Sequence, residues 1–505
     1  MSRRLAFPLV LTLLAFLVSL VEPVRADDPA PAAPVAPPPA APASKPGNPA
    51  IHATAWRDET IVAARFEEAL AAVEKACGAK FETKPTFRLS TKAEVKKVLL
   101  AELEPFKEAM GLGASLESAC EMLSGAVAAK YDVDHAIVHV VPGNVETLAK
   151  ALAMPELATE ESLRVVLAHE CTHALDFPRF HWKAKRAVLT TAEQHGAFGA
   201  VIEGHAQFVA KRIAATIGLT TAFDRFTKSI TALPPDLPNF EATIAKAIAS
   251  QAEFAYDQGA TFLEAVFAGG GDAGLLAALE EPPQTSRAIE HPDTYIHPDA
   301  GPKPFALAPL FDLLRGLTPE PAWTHVSQGV IEGAIRGQLT ALPDDVRKTA
   351  LDGFRDATIL RATRTADGAN AFVLTMRFET PEQALAFAKA DRMVTELKDA
   401  GLKTGSVRVV SAKYEDGAGT GGKVAGCVVE KQVEAGPLKI RAFTALFAAG
   451  PIAFELAIVN VDGFDRAGLD PIVDALAAFT ADPAHPMPTL PEGFRLERPV
   501  ATKAR

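Results

Sequence analysis

Between about residue 51 and residue 342, apolar positions recur mostly at intervals of three and four, the spacing of one helix face. Residues 64–76 and 93–109 have this period, the second opened by Ser90 and Thr91. One run, His135-Ala136-Ile137-Val138-His139-Val140-Val141, reads instead as a strand and stops at Pro142-Gly143. Residues 163–177 are helical again, with Thr159 as N-cap and Glu160 and Glu161 in the first turn, where the helix dipole favours acids. This helix is expected to stop near Phe177, because proline disfavours helical backbone in the residue before it and Pro178 follows. Another starts near Thr191, where Thr191 and Gln194 have capping-box spacing, and runs on past Glu203.

From about residue 356 the period changes. Residues 371–378 form a strand. Thr380, Pro381 and Gln383 then open a helix that Gly401 closes. Four strand-like stretches follow, at 406–414, 424–433, 438–447 and 452–460, and a last helix begins at Asp470-Pro471. The expected fold class is multi-domain. A mainly α-helical domain with a small strand element spans 51–345, and an α+β domain with an antiparallel sheet spans 356–505. The second has no chemical motif and reads as a binding or positioning module. Gly417 and Gly422-Lys423 imitate a phosphate-binding loop, but Val424 stands where a hydroxyl should hold magnesium and a strand follows, so a hairpin loop is expected. Gly269-Gly270-Gly271 is expected to be a loop between helices.

Composition adds limits. The 505 residues are 48% apolar with a net charge of −11 and no basic run, which argues against a nucleic-acid partner. Residues 1–26 have the make-up of a signal peptide: Arg3 and Arg4, an apolar stretch over 5–21, and Val24-Arg25-Ala26 before Asp27. The alternative is a short membrane anchor, against which the stretch is short and holds Pro8. Residues 27–50 are rich in proline and alanine and form a tether. The expectation is an exported chain, periplasmic, envelope-associated or extracellular, with no transmembrane segment after cleavage. Of the four cysteines, only Cys77 and Cys120 suggest a bridge, and Cys171 reads as a small buried side chain.

The chemistry concentrates at His169-Glu170-Cys171-Thr172-His173. Residues four apart share a helix face, so both imidazoles can address one metal ion, and zinc suits such a donor set. Glu170 then has the place of a general base acting on a zinc-activated water. A catalytic zinc needs a third protein ligand. His-x-x-Gly-x-x-His spacing is absent, since Asp176-Phe177-Pro178 follows. Glu203, thirty residues after His173, is the best carboxylate, and Gly196, Gly199 and Gly204 would let its helix approach the zinc helix. His205, two positions on, points elsewhere and suits a supporting or surface role. Asp176 is placed either to orient an imidazole or to cap the helix. An oxyanion needs a donor, and Arg287, His291, Tyr295 and His297 cluster in one stretch. The strand at 135–141 either pairs with an extended substrate or is an ordinary sheet strand.

A longer pattern contains these residues. His169-Glu170-Cys171-Thr172-His173-Ala174-Leu175 is followed by Glu203-Gly204-His205-Ala206, Tyr256-Asp257-Gln258-Gly259 with Phe262, Pro282-Pro283-Gln284-Thr285, and His291-Pro292-Asp293-Thr294-Tyr295. In order and rough spacing over 131–295 this resembles an exported bacterial family of gluzincin-like zinc metallopeptidases, largely uncharacterised. The resemblance implies a zincin-like domain, zinc held by His169, His173 and Glu203, Glu170 catalytic, and His291 and Tyr295 in the site. The chain departs from the family where Asp176-Phe177-Pro178 follows Leu175 and where His205 replaces a frequent acid. The reading is an exported zinc-dependent metallopeptidase acting on a peptide or protein. The alternative is a non-catalytic, zinc-stabilised binding or structural protein of the cell envelope.

Overall fold

The computed structural model describes residues 53–107, 116–189, 192–232, 249, 251–297, 308–319, 322–330, 332–339, 341–364, 369–401, 407–420, 422, 424–435, 438–461, 464–478 and 496. The expected signal peptide and tether, and the expected cap Thr191, lie outside the described residues. A helical N-terminal region and a C-terminal antiparallel sheet of seven strands make up the chain, as the change of period predicts. It divides into two compact units, Met1–Pro105 with Leu112–His181 and Val209–Ala245, and Phe106–Gly111 with Trp182–Phe208 and Lys246–Arg505.

In the first unit a short helix α1 (Thr54–Arg57) leads into α2 (Glu59–Cys77). The Asp58 carboxylate caps α2 by accepting from the Thr60 and Ile61 amides. Gly78, at φ 59°, ends it in the left-handed region where glycine has no Cβ penalty. Strand β1 (Thr86–Leu89) is followed by α3 (Lys92–Leu103), whose Thr91 and Glu94 form a reciprocal capping box. Next come α4 (Leu116–Ser124), β2 (Ala129–Asp132), β3 (Ile137–Val140), α5 (Pro142–Ala151) and α6 (Glu160–Arg179), which carries the pentad. Val62, Phe66, Ala69, Leu70 and Val73 form the buried stripe of α2, which packs along α6. Trp56, buried on α1, donates its indole N–H to the Thr159 carbonyl at 3.0 Å and so fixes the start of α6.

The small sheet has the order β1-β3-β2, with β1 parallel and β2 antiparallel to β3. β3 is therefore the inner strand, with partners on both sides, so of the two readings of residues 135–141 the ordinary sheet strand holds and pairing with a substrate has no free edge there. α6 runs to Arg179 rather than stopping at Phe177. Pro178 stands in its last turn, where one missing N–H costs little, and Phe180 closes the helix by donating to the Asp176 carbonyl. α7 (Ala192–Thr216) begins in the second unit and continues into the first at Val209, where α8 (Thr220–Thr231) packs on α6.

In the second unit a π-helical turn, Glu253–Gln258, runs into α9 (Gly259–Glu280). Gly269-Gly270-Gly271 is a kink within α9, with φ 58° and ψ −150° at Gly271, and not a separate loop. Gly204 of α7 meets Gly259 where the backbones nearly touch: a Cβ at either would overlap main-chain atoms of the other helix. Gly196 and Gly199 have open space at the same position. Gly204 thus serves the crossing of α7 with α9.

After α10 (Ser286–Glu290) and α11 (Ala308–Leu317) come β4 (Trp323–Gly329), α12 (Glu332–Gln338), β5 (Phe354–Arg364), β6 (Ala369–Phe378), α13 (Pro381–Gly401), β7 (Val407–Ala418), β8 (Val424–Ala435), β9 (Leu438–Ala449), β10 (Ile452–Val459) and α14 (Arg466–Ala477). The sheet order is β4-β5-β6-β10-β9-β8-β7. α11 and α14 cover one face over an apolar core that includes Leu360, Val373, Phe443, Phe447, Phe454 and Leu456. α13 covers the other across β9 and β10, opened by the expected Thr380–Gln383 box. α14 starts four residues earlier than Asp470, because the Asp465 carboxylate caps it by accepting from the Gly468 amide. The glycine-rich segment is the β7–β8 hairpin loop, with the Thr420 amide on the Asp474 carboxylate; Lys423 lies outside the described residues. β7 is an edge strand with register shifts at Val409/Ser411 and Asp416/Ala418.

Two tests follow from this packing. Gly204→Ala or Gly259→Ala should cost about 1–3 kcal/mol by overpacking, read as a lower urea midpoint, whereas Gly199→Ala should not. Beneath α13, burial holds the Asp391 and Glu455 carboxylates above the ordinary range, and Lys398 and Lys431 only partly offset it. A carboxyl whose folded pKa is raised binds more protons folded than unfolded, so its stabilisation is lost as pH rises above about 4 toward the raised pKa. Asp391→Asn with Glu455→Gln should therefore flatten the fall in stability between about pH 5 and 8; an unchanged slope would refute the assignment.

Candidate metal centre

Helical period and burial decide where the pentad side chains go. Thr159 accepts the Ser162 amide at the N-cap of α6, with Glu160 and Glu161 in the first turn as expected. From Leu163 the helix is buried on nearly all sides, so the pentad enters a dry interior. His169, Glu170 and His173 are only 2%, 7% and 5% exposed. One turn apart, the two histidines bring their Nε2 atoms to 3.1 Å, with the rings edge-on at 88°. Two nitrogens at about 2.0–2.1 Å from a tetrahedral ion would stand about 3.3 Å apart, so this pair fits one zinc ion with little adjustment. One carboxylate oxygen of Glu170 completes a group whose donor atoms all lie within 4.8 Å of one another. Among the described residues it is the one such group of three or more His, Cys, Asp or Glu side chains.

Glu170 turns toward the small sheet. Its Oε2 accepts the Tyr131 amide of β2 at 2.7 Å, which fixes the carboxylate on the side of the helix that faces the strand. Aromatic rings wall the group: Phe226 of α8 stands edge-on to His169, and Phe177 stands edge-on to His173 and tilted to Tyr131. Thr172 turns its hydroxyl back to the Ala168 carbonyl and is thereby removed from the metal chemistry. Cys171 is fully buried and its thiol is held well above the ordinary range, first by burial and then by the Glu170 charge. It is an inert small side chain, as expected. All four cysteines are free, so the suggested Cys77–Cys120 bridge is not formed. Asp176 is fully buried, and its main-chain carbonyl accepts the Phe180 amide at the helix end.

The other predicted residues belong to the second unit. Glu203 lies half-buried on α7. His205 is buried rather than exposed and stacks on Phe208, because α7 is enclosed almost all round from Val201 to Ala210. Arg287 donates to the Phe354 and Arg355 carbonyls and so ties α10 to β5. His291 Nε2 lies 2.8 Å from the Glu332 carboxylate, which also receives Arg336. The Tyr295 hydroxyl donates to the Glu281 carbonyl at 3.2 Å, and its ring stands against Phe262. His297 is exposed. Sequence reasoning did not single out Tyr131 as a partner of Glu170, because the donor is a main-chain amide and carries no side-chain signature.

No protein-family model matches the chain, and no curated protein matches it. A solved structure described as "a putative hydrolase with a novel fold" from Chloroflexus aurantiacus aligns with a TM-score of 0.32 and 16% identity, over 51% of this chain and 93% of that one. At that level of likeness it carries no argument for fold or chemistry.

The donor set has a direct consequence. His169→Ala or His173→Ala should each abolish stoichiometric metal uptake, measured by elemental analysis, because one remaining imidazole cannot hold the ion. Cys171→Ala should leave uptake unchanged. In the native chain Cys171 should resist iodoacetamide and react only after unfolding; rapid native alkylation would contradict the buried geometry.

Proposed function

We propose that the chain is a zinc-dependent metallopeptidase of the gluzincin type, exported by its first 26 residues and tethered by residues 27–50. The observation that carries the reading is the buried His169–His173 pair, its Nε2 atoms 3.1 Å apart, with the Glu170 carboxylate in the same group. A purely structural site has no use for an acid at that position. His169 and His173 would hold the ion. Glu203 is assigned as third ligand on the sequence pattern, in the order and spacing of the resemblance.

A bound zinc ion supplies Lewis-acid polarisation of the carbonyl and of the attacking water. The chain's own residues do the rest. Glu170, fixed by the Tyr131 amide, takes the proton of the attacking water and returns it to the leaving amine. The aromatic wall of Phe177, Phe226 and Tyr131 keeps bulk water from the reacting atoms and strengthens the electrostatics there. His291 and Tyr295 enter as oxyanion donors on the resemblance. Each would exchange its present partner, Glu332 or the Glu281 carbonyl, for substrate. The substrate class is a peptide or protein, and the seven-stranded unit serves as the positioning module.

The test is metal analysis and cleavage of a mixed peptide library by the full chain and by Glu170→Gln. Near one zinc per chain in both, with cleavage reduced about a hundredfold to ten-thousandfold in the variant, is the expected result. Equal cleavage by both would remove Glu170 from the mechanism. Zinc without cleavage in the wild type would favour a zinc-stabilised binding protein.

A further inference from the structure

The small sheet carries a second group of reactive side chains, on the face turned away from the pentad. Register pairs Lys130 with His139 and Arg88, and pairs Tyr131 with Val138 and Phe87. Tyr131 and Phe87 pack against Phe177 of α6 and Phe66 of α2. Strand side chains alternate between faces, so His139 lies on the opposite face, with Asp132 two residues beyond Lys130 and Ser90 two beyond Arg88. Ser90 continues the ladder by donating its amide to the Val140 carbonyl.

On that face the three side chains line up. Ser90 Oγ lies 2.7 Å from His139 Nδ1, and His139 Nε2 lies 3.7 Å from Asp132 Oδ2. The Asp132 carboxylate is fixed by the Asp134 and His135 amides at 2.9 and 3.2 Å and by the His135 ring at 2.8 Å. Burial alone would raise its pKa, but these donors bring it below the ordinary range, so it is ionised and can only accept. In the tautomer with its proton on Nε2, on the side of Asp132, the His139 Nδ1 lone pair faces Ser90. Burial lowers the His139 pKa more than Asp132 raises it, so the ring is neutral and free to take a proton. The Ser90 hydroxyl has one other acceptor, the Arg88 carbonyl at 3.5 Å, and the 2.7 Å contact prevails. The 3.7 Å gap lies beyond hydrogen-bond reach at rest; such contacts tighten when charge develops on the ring.

The backbone supplies the remaining part. Ser90 directly precedes Thr91, the N-cap of the twelve-residue helix α3. The capping box uses the Thr91 and Glu94 amides, whereas those of Lys92 and Ala93 have no intrahelical acceptor. The nucleophile at the strand-to-helix turn thus precedes by two and three positions in the chain the two amides that would serve an oxyanion.

We propose that Ser90, His139 and Asp132 form a serine nucleophile site that acts on small carboxylic esters. The Ser90 oxygen bonds to the acyl carbon as its proton passes to His139 Nδ1, and the alcohol leaves with that proton. Water then cleaves the acyl-serine by the same proton path in reverse, giving acid and alcohol with no change of oxidation state. At 8% exposure Ser90 admits only a small or narrow acyl group. This site is independent of the metallopeptidase reading.

The experiment treats the full chain with a fluorophosphonate probe and locates the adduct by peptide mass spectrometry. The expected result is stoichiometric labelling at Ser90, slowed about a hundredfold or more in His139→Ala and less in Asp132→Asn, with circular dichroism as the fold check. p-Nitrophenyl acetate should give a burst of one equivalent. No adduct on the folded wild type, an adduct elsewhere, or Ser90 labelling at the same rate in a folded His139→Ala chain would each overturn the proposal. If His139→Ala does not fold, the Asp132→Asn rate and the wild-type burst decide it, and no slowing with no burst would overturn it.

Discussion

One hydrogen bond, from the Tyr131 amide to the Glu170 carboxylate, joins the small sheet to the pentad helix. A charge-assisted bond of this kind contributes about 1.5–3 kcal/mol, and a buried carboxylate without partners would cost at least as much. The constraint works in both directions. Glu170 can lie inside the protein because β2 presents an outward amide. β2 in turn is held against α6 although it is only four residues long. The positions of α2, of α8 and of the aromatic wall follow from the same requirement that the polar turn of α6 be enclosed without leaving its acid unsatisfied.

The sheet then separates two chemistries. On the face toward α6 and α2 the side chains are aromatic and aliphatic and pack against the helices that carry and flank the His169–Glu170–His173 group. On the other face alternate positions carry Arg88, Ser90, Lys130, Asp132 and His139. A period of two puts adjacent residues such as Tyr131 and Asp132 in different surroundings, so three short strands can support both. The larger sheet shows the same division. Its α11–α14 face carries the large apolar core, with Arg364 laid over Trp323, whereas the α13 face includes Asp391, Glu455 and Lys431.

What could be read from the chain follows the range of the interactions. The pentad, the Thr159 cap and the Thr380–Gln383 box are local, with all partners within a turn, and the sequence shows them directly. Strands β6 to β10 are long and rich in branched and aromatic residues, and they too were legible. β4 was not: Trp-Thr-His-Val-Ser-Gln-Gly has no clean alternation, and it becomes a strand because β5 offers an edge. The early end assigned to α6 treats Pro178 as a stop and the late start assigned to α14 treats Pro471 as an opening, where capping by other groups decides the boundary. Ser90 is more than forty residues from Asp132 and His139 in the chain, and only the pairing of β1 and β2 with β3 brings the three together. The two-residue offset of His205 from Glu203 leaves a supporting or a surface role open; its burial follows from a helix enclosed on nearly every side, which that spacing does not show.

The register shifts in β7 have a meaning beyond local geometry. Among the described residues the twelve-residue β7, at one edge of the seven-stranded sheet, has no strand on its outer side, and such an edge is the usual template for joining one molecule to the next. Val410, 52% exposed, stands at the first shift and would add an apolar contact to such a joint. The first shift inserts Val410 into β7 and the second an extra residue into β8; each increases the twist and breaks the regular spacing of donors and acceptors. No straight strand from a second chain can then follow the edge for its full length. The irregularity protects the molecule against aggregation at its most vulnerable border.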